Sequence, residues 1–520
     1  MGFFTDEVLS LVLPYFKFEE LCAIECVSKN FQRLVISTCR LKKHLNLKFL
    51  QYLKLIDSNC FRKIEAYCKN LRGVELPTID SEESFRIILE CLKQLENLTS
   101  IAFIGDLTLP IVADFLCQRP NLEFLTLTYA QPADEDVSSS IIKIRSAISN
   151  MKYLKHLSID SRFYPENFCS NSTLTHFKYN EDGIHTKIDW IKFFDRHPKL
   201  DSFGLKHHLW KEDTMLRCLS AKASDIKALE LRFFDAYTED INHRRTLPII
   251  DWLINDLRKF VHLRKLILNL DTYSSSLELN TDLIFKNIVG SIPRLEVFEF
   301  GATDNHFQIV DSLDINHVQF LESITLSFYE ITNRDLITLS RLPKLKTLCI
   351  DVCCINEDHA NLASNRDSSI TELKINRRLF EKQTPKIGSI LQHIGWNLEL
   401  LDLPVVHDKL LSPIFDFCPN LTSLIFHNVE MRRYCFSKTE KFNILEFLAI
   451  KMPSLLHVTL QFGQQTCSDK LLSKVRHYLT SAENLKSFLS TNLQLIRKLR
   501  KSPEIRRLKN DRRFDVDIAD

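Results

Sequence analysis

The chain has 520 residues, 45% of them apolar and 26% charged, and a formal net charge of +2, the make-up of an ordinary soluble protein with no global pull toward nucleic acid or membrane. Its apolar runs fall far short of the roughly 18–20 residues that span a bilayer, and Asp6 and Glu7 stand where a signal peptide needs an apolar core. Its ten glycines are dispersed, the closest pair being Gly388 and Gly395, which excludes the clustered-glycine loops that let backbone amides cradle a phosphate.

The first forty residues predict two or three short helices. Val8, Leu9, Val12 and Leu13 recur at helical spacing, and Leu21, Ile24, Val27 and Phe31 form a second stripe, with Phe18 and Glu19 between them. Helices this small cannot bury a full core alone, so they must pack on a partner or on the first repeats of the chain. The Met-Gly start is not a myristoylation signal, because Asp6 takes its Ser/Thr position.

Over residues 3–40 the segment resembles the F-box, the module that docks onto the Skp adaptor of cullin–RING ubiquitin ligases. Phe4 stands at the family's leucine, and Asp6-Glu7-Val8-Leu9 match its acidic pair and apolar pair. Val12-Leu13 and Tyr15-Phe16 take the next two apolar steps, Glu20-Leu21 stand for Asp-Leu, and Val27-Ser28-Lys29 precede Phe31 at the aromatic position. Thr5 replaces the family's proline, and Pro14 falls near the end of the first helix, where it shortens or kinks it. The resemblance implies an adaptor face drawn from Phe4, Val8, Leu9, Val12, Leu13, Leu21, Val27 and Phe31. The residue-level alternative is that these helices only cap the open end of a repeat array.

After a helical linker or cap over 46–70, a pattern of the form L-x-x-L-x-L dominates residues 71–467. Copies start at Leu71, Leu98, Leu122, Leu154, Leu174, Leu200, Ile226, Leu263, Leu295, Leu321, Leu345, Ile370, Leu398, Leu421 and Leu455. The second and third apolar positions lie two apart, so in a strand they share a face. The linkers have room for a turn and a helix; 84–95, 111–117 and 332–342 read as helical, the last opening with Thr332 and an acidic Asp335 three residues on. The expected fold is α/β: a helical F-box, then a curved solenoid of about 15 units with a parallel sheet on the concave face and helices outside. Leu345-x-x-Leu348-x-Ile350-x-x-Cys353-x-Ile355 carries the full leucine-rich-repeat consensus and resembles the cysteine-containing intracellular subtype. Wide intervals at 122–154, 226–263, 263–295 and 421–455 imply inserted loops.

The fifteen cysteines are scattered, several at repeat positions, which fits free buried thiols better than a disulfide framework or a zinc site. The sequons at Asn97, Asn171 and Asn420 would go unused in an intracellular chain. No nucleophile elbow, zinc-protease or kinase motif occurs, and no cofactor is implied.

The x positions of the repeat face the open side of the sheet. From 154 to 265 they are rich in Lys155, His156, His176, Lys178, Lys206, His207, Lys227, Arg232, Arg264 and Lys265, diluted by Asp160, Glu181, Asp201 and Glu230. Lys155, His156, Lys178, Lys206, His207, Arg232, Arg264 and Lys265 are therefore candidate contacts for an acidic or phosphorylated segment. The alternative is a solvated face of mixed charge. Phe124, Tyr129, Phe233 and Phe328 are read as exposed-face aromatics.

The repeat is expected to end near residue 467. Closing helices over 468–496 and a basic, flexible tail over 497–520 complete the chain, the tail carrying nine Lys/Arg between Arg497 and Arg513. The resemblance and domain order together imply a non-catalytic substrate receptor of a Skp–cullin–F-box ubiquitin ligase in the cytoplasm or nucleus. Its partners would be a Skp-family adaptor, through it cullin and RING subunits, and an unidentified protein substrate, with no role for membrane. A leucine-rich-repeat scaffold without ligase function is the alternative, and nucleic-acid binding rests on the tail alone.

Overall fold

The computed structural model describes residues 21, 29–46, 64, 66–76, 82–105, 109–128, 138–164, 173–181, 188–207, 213–234, 252–253, 255–271, 287–306, 318–356, 365–375, 384–404, 408–429, 455–462, 475, 479, 487–490, 499, 505 and 515–517. The chain divides into two compact units, 1–231 and 232–520.

In the first unit, strands β1 (His44–Asn46), β2 (Gly73–Leu76), β3 (Ser100–Ile104), β4 (Phe124–Thr128), β5 (His156–Asp160), β6 (His176–Asn180) and β7 (Ser202–His207) pair in chain order. Every pairing is parallel. Next comes β8 (Ala228–Phe234), with the division falling inside it. The register stacks like on like: Leu45, Val74, Ile101, Leu125, Leu157, Phe177 and Phe203 form one row. Two residues on, Leu76, Phe103, Leu127, Ile159, Tyr179 and Leu205 form the next. These are the second and third apolar positions of the repeat, and the strand period of two turns both inward.

The second unit repeats the arrangement with β9 (Lys265–Asp271), β10 (Val297–His306), β11 (Ser323–Thr332), β12 (Thr347–Asn356), β13 (Glu372–Ile375), β14 (Leu400–Leu403), β15 (Ser423–Val429), β16 (His457–Phe462), β17 (Ser487–Ser490) and β18 (Asp515–Asp517), all parallel in chain order. The opening residue of all fifteen repeat copies is buried, from Leu71 to Leu455. Full burial of each contributes roughly 1.5–3 kcal/mol.

Helices fill the linkers where the sequence places them: Glu82–Lys93, Leu109–Cys117 and Asn333–Ser340. The last is held by a capping box, Thr332 Oγ1 accepting from the Asp335 amide at 3.2 Å while the Thr332 amide donates to Asp335 at 2.9 Å. Neighbouring repeats are also tied through the residue ahead of the repeat leucine. Asn97, Asn397 and Asn420 donate their side-chain amides to Lys69 O at 3.2 Å, Ser368 O at 2.6 Å and Trp396 O at 2.8 Å, each in the preceding turn. Two of the three sequon asparagines are thus repeat-stacking residues.

Three expectations change. The ladder begins at β1, ahead of the first expected copy, because Leu45 supplies the inward residue that pairs with Val74. The strands do not end near 467: β17 pairs with β16, and β18 pairs with β17 within the stretch read as a flexible tail. There Leu499 and Ile505 are buried, so these two apolar residues between the tail's charges are core. Phe233 and Phe328, read as exposed, are 3% and 0% exposed. Each lies two residues beyond an inward leucine, Leu231 and Leu326, and so shares its face. The wide intervals coincide with 129–137, 235–251, 272–286 and 430–454, which lie outside the described residues. The described cysteines are all free, with Cys39, Cys68, Cys91 and Cys418 buried.

Candidate functional site

The chemistry this fold offers lies on the open face of the sheet. Position 2 of each repeat stands immediately before the strand, and these residues form a ladder of charge. Lys155 Nζ is 2.8 Å from Glu123 and Lys227 Nζ 3.2 Å from Asp201 in the first unit. In the second unit Arg264 is 3.4 Å from Glu296 and Lys346 3.1 Å from Glu322. Each pair joins position 2 of adjacent repeats and is exposed, so it contributes about 0–1 kcal/mol.

Position 5 carries longer reaches. Lys178 extends over β7 to Glu230 in β8, at 2.8 and 2.9 Å. Gly204, its partner in β7, leaves the way open: a Cβ there would stand 3.1 Å from Lys178 Cγ. In the second unit Arg232 meets Glu299 at 3.3 Å. His427 Nε2 and Asp402 Oδ1 are 2.6 Å apart, and burial outweighs the histidine in raising the Asp402 pKa.

Within each unit the expected basic residues that are described stand at the open-face positions of the repeat, and most of them are paired. Lys155, Lys178, Arg232 and Arg264 each hold a carboxylate. Lys206 is half-buried in β7 opposite Asn180, and Lys265 opens β9 opposite Val297. His207 closes β7, and its side chain lies outside the described residues. The face is one of mixed, mutually satisfied charge. Aligning position 2 across adjacent repeats would have revealed its Glu–Lys and Asp–Lys alternation.

At position 3 three rings lie in register. Phe124 stacks on His156 at 4.3 Å between centroids, and His156 on His176 at 3.7 Å. Thr175 Oγ1 holds His176 Nδ1 at 2.8 Å, with Asp201 Oδ1 3.7 Å away. Burial, then His176 and Lys155, lower the His156 pKa from 6.5 to about 4, against an opposing pull from Asp201. His176 is lowered too, again mainly by burial. The unfolded chain takes up protons near pH 6.5 that the folded chain refuses until about pH 4. Stability from this stack is therefore whole above pH 6.5 and falls as the pH drops through that window. Glu123, Lys155, Asp201 and Lys227 are the charged groups around it. His156→Phe is expected to flatten the melting-temperature profile between pH 6.5 and 4 relative to the parent; parallel profiles would refute the assignment.

A buried polar knot links three repeats of the second unit. Ser340 Oγ lies 2.9 Å from His393 Nε2, Asn365 Nδ2 donates to Ser340 Oγ at 3.1 Å, and the Asn365 amide donates to His393 O at 2.7 Å. Ser340 and His393 are 2% and 5% exposed, which makes the knot a structural tie. No group of three or more His, Cys, Asp or Glu among the described residues could hold a metal ion.

Of the residues the F-box resemblance singles out, Phe4, Val8, Leu9, Val12, Leu13 and Val27 lie outside the described residues. Leu21 is fully buried, and Phe31 belongs to the helix Lys29–Leu41. That helix buries Val35, Thr38 and Cys39. Cys39 hydrogen-bonds the thiol of Cys68, which this contact and burial hold strongly toward the neutral form.

No protein-family model matches the chain, and neither does any curated protein. Among solved structures it is similar to the TLR13–ssRNA13 complex at 15% identity and a TM-score of 0.30, covering 87% of this chain and 65% of the other. It is also similar to the Toll–Spatzle complex of Drosophila at 12% identity and a TM-score of 0.29, covering 85% and 53%. The chain thus spans less than two thirds of the length of either. The leucine-rich-repeat fold rests on the parallel ladder itself and on the repeat leucines that line its core.

Proposed function

We propose that the chain is a non-catalytic, intracellular protein-binding receptor. Its leucine-rich repeats hold a target protein, and its N-terminal module carries that target to a Skp-family adaptor and, through it, to cullin and RING subunits of a ubiquitin ligase. The observation that carries this reading is the domain order: a segment with the F-box sequence pattern stands directly before a repeat array. The chemistry would be proximity, since holding a lysine beside a ubiquitin-loaded enzyme replaces a bimolecular encounter. The paired polar face suits a folded or extended protein surface better than a polyanion, because most of its cations are already matched by carboxylates.

Co-expression of the full chain with the Skp adaptor, and then size-exclusion chromatography, tests the adaptor half. A co-eluting complex that Leu9→Asp with Leu13→Asp abolishes is the expected result. Well-folded protein that never co-elutes would reduce the N-terminal helices to a cap, and the chain to a leucine-rich-repeat scaffold.

A further inference from the structure

The leading edge of the sheet in the second unit differs from its open face. Between β10 and β14 the residue just ahead of the repeat's first apolar residue reads Arg294, Phe320, Lys344, Ser369 and Asn397, without a carboxylate. Phe320 is 46% exposed, and the Lys344 ammonium sits 4.7 Å from its ring centroid. Three repeats on from Phe320, Trp396 is 39% exposed, with the Arg366 guanidinium 4.3 Å from its ring. Arg294 lies 3.4 Å from His262 Nδ1. Among the described residues none of these three cations has a carboxylate within ion-pair distance, in contrast to Arg264 and Lys346 nearby. Of the carboxylates nearby in sequence, Glu296 is paired with Arg264 and Glu322 with Lys346, while Asp367 adjoins Arg366 on the surface.

Exposed aromatic rings flanked by unmatched cations are favoured anchors in protein interfaces. β10 to β14 are successive neighbours, so four steps of about 4.8 Å give an edge of about 19 Å. An extended peptide at about 3.3 Å per residue covers that with about six residues. We propose that this edge binds an extended, acidic protein segment, its carboxylates on Arg294, Lys344 and Arg366 and its apolar side chains against Phe320 and Trp396. The proposal rests on the target-binding half of the function above and is independent of the adaptor. Single-stranded RNA is the less favoured occupant, because each ring already has a cation over it where a base would stack.

The test is fluorescence anisotropy on the full chain with three probes of about twelve units each: a Glu/Asp-rich peptide containing Leu and Phe, its Lys-for-Glu counterpart, and a single-stranded RNA. The acidic peptide is expected to bind, more weakly as salt rises. Lys344→Glu with Arg366→Glu, and separately Phe320→Ala with Trp396→Ala, should each weaken it at least about tenfold. Circular dichroism would confirm folding of both variants, and both should still bind whatever adaptor the parent binds. Absent binding, binding indifferent to both double variants, or tighter binding of the RNA or the basic peptide would each overturn the proposal.

Discussion

Phe177→Ala is expected to destabilise the first unit by about 3–5 kcal/mol. Phe177 is 2% exposed and sits in the most aromatic stretch of the core. Its ring centroid lies 4.6 Å from Phe193, 6.2 Å from Phe203, 6.3 Å from Tyr179 and 6.4 Å from Tyr164. Truncation would open a cavity between strands β5 and β7 and the helix Trp190–Arg196, where neighbouring rings are too rigid to collapse into it. Phe177→Leu, which keeps most of the volume, should cost about 1.5 kcal/mol or less. A repeat array is stable unit by unit, so the loss should appear locally. Hydrogen exchange at the amides of β5, β6 and β7 is the measurement; unchanged protection there would mean that the rings do not share a core.

Replacing Arg119 by Met should cost about 1.5–3 kcal/mol, more than most half-buried side chains. Its guanidinium donates to Leu95 O at 2.9 Å, to Leu92 O at 2.7 Å and to Lys93 O. These carbonyls lie at and just past the end of the helix Glu82–Lys93 of the preceding repeat, where intrahelical donors run short and the helix dipole is negative. Methionine fills the space but removes all three bonds; Leu92 O and Leu95 O keep only the longer backbone bonds from the Leu95 and Leu98 amides, each at 3.2 Å. Burial lowers the Arg119 pKa, yet a guanidinium stays charged at any working pH. Arg119→Lys should recover only part of the loss, because one ammonium cannot replace a fork that reaches three acceptors. Thermal melts of the three proteins decide this; equal melting temperatures would show that water serves these carbonyls as well.

The repeat leucines, the strand rows and the helices after Glu82, Leu109 and Thr332 are legible from spacing alone, because a period of two and a period of 3.6 are written in the chain. The ends of the array are harder. Leu45 and the strands Ser487–Ser490 and Asp515–Asp517 lack the full repeat pattern, and pairing with a neighbour makes them strands. Phe233 and Phe328 stand beyond the repeat's last apolar position and so pass for solvent residues, though parity with Leu231 and Leu326 turns them inward.

The sequence by itself determined the architecture: thirteen leucines and two isoleucines, recurring at intervals of 20 to 37 residues, can bury their side chains only by stacking turn on turn in a parallel ladder. It also put the basic residues of the middle repeats at the outward positions of their own strands. Only the tertiary structure decided what those charges do. Charge at position 2 or 5 is a local fact, but its partner is a residue of another repeat, such as Glu123 for Lys155 or Glu230 for Lys178. Strand register, set by the core, puts them within reach. The same register leaves Lys344 and Arg366 facing rings instead of carboxylates, which is why the face the sequence marked as basic is neutralised and the edge it passed over is not.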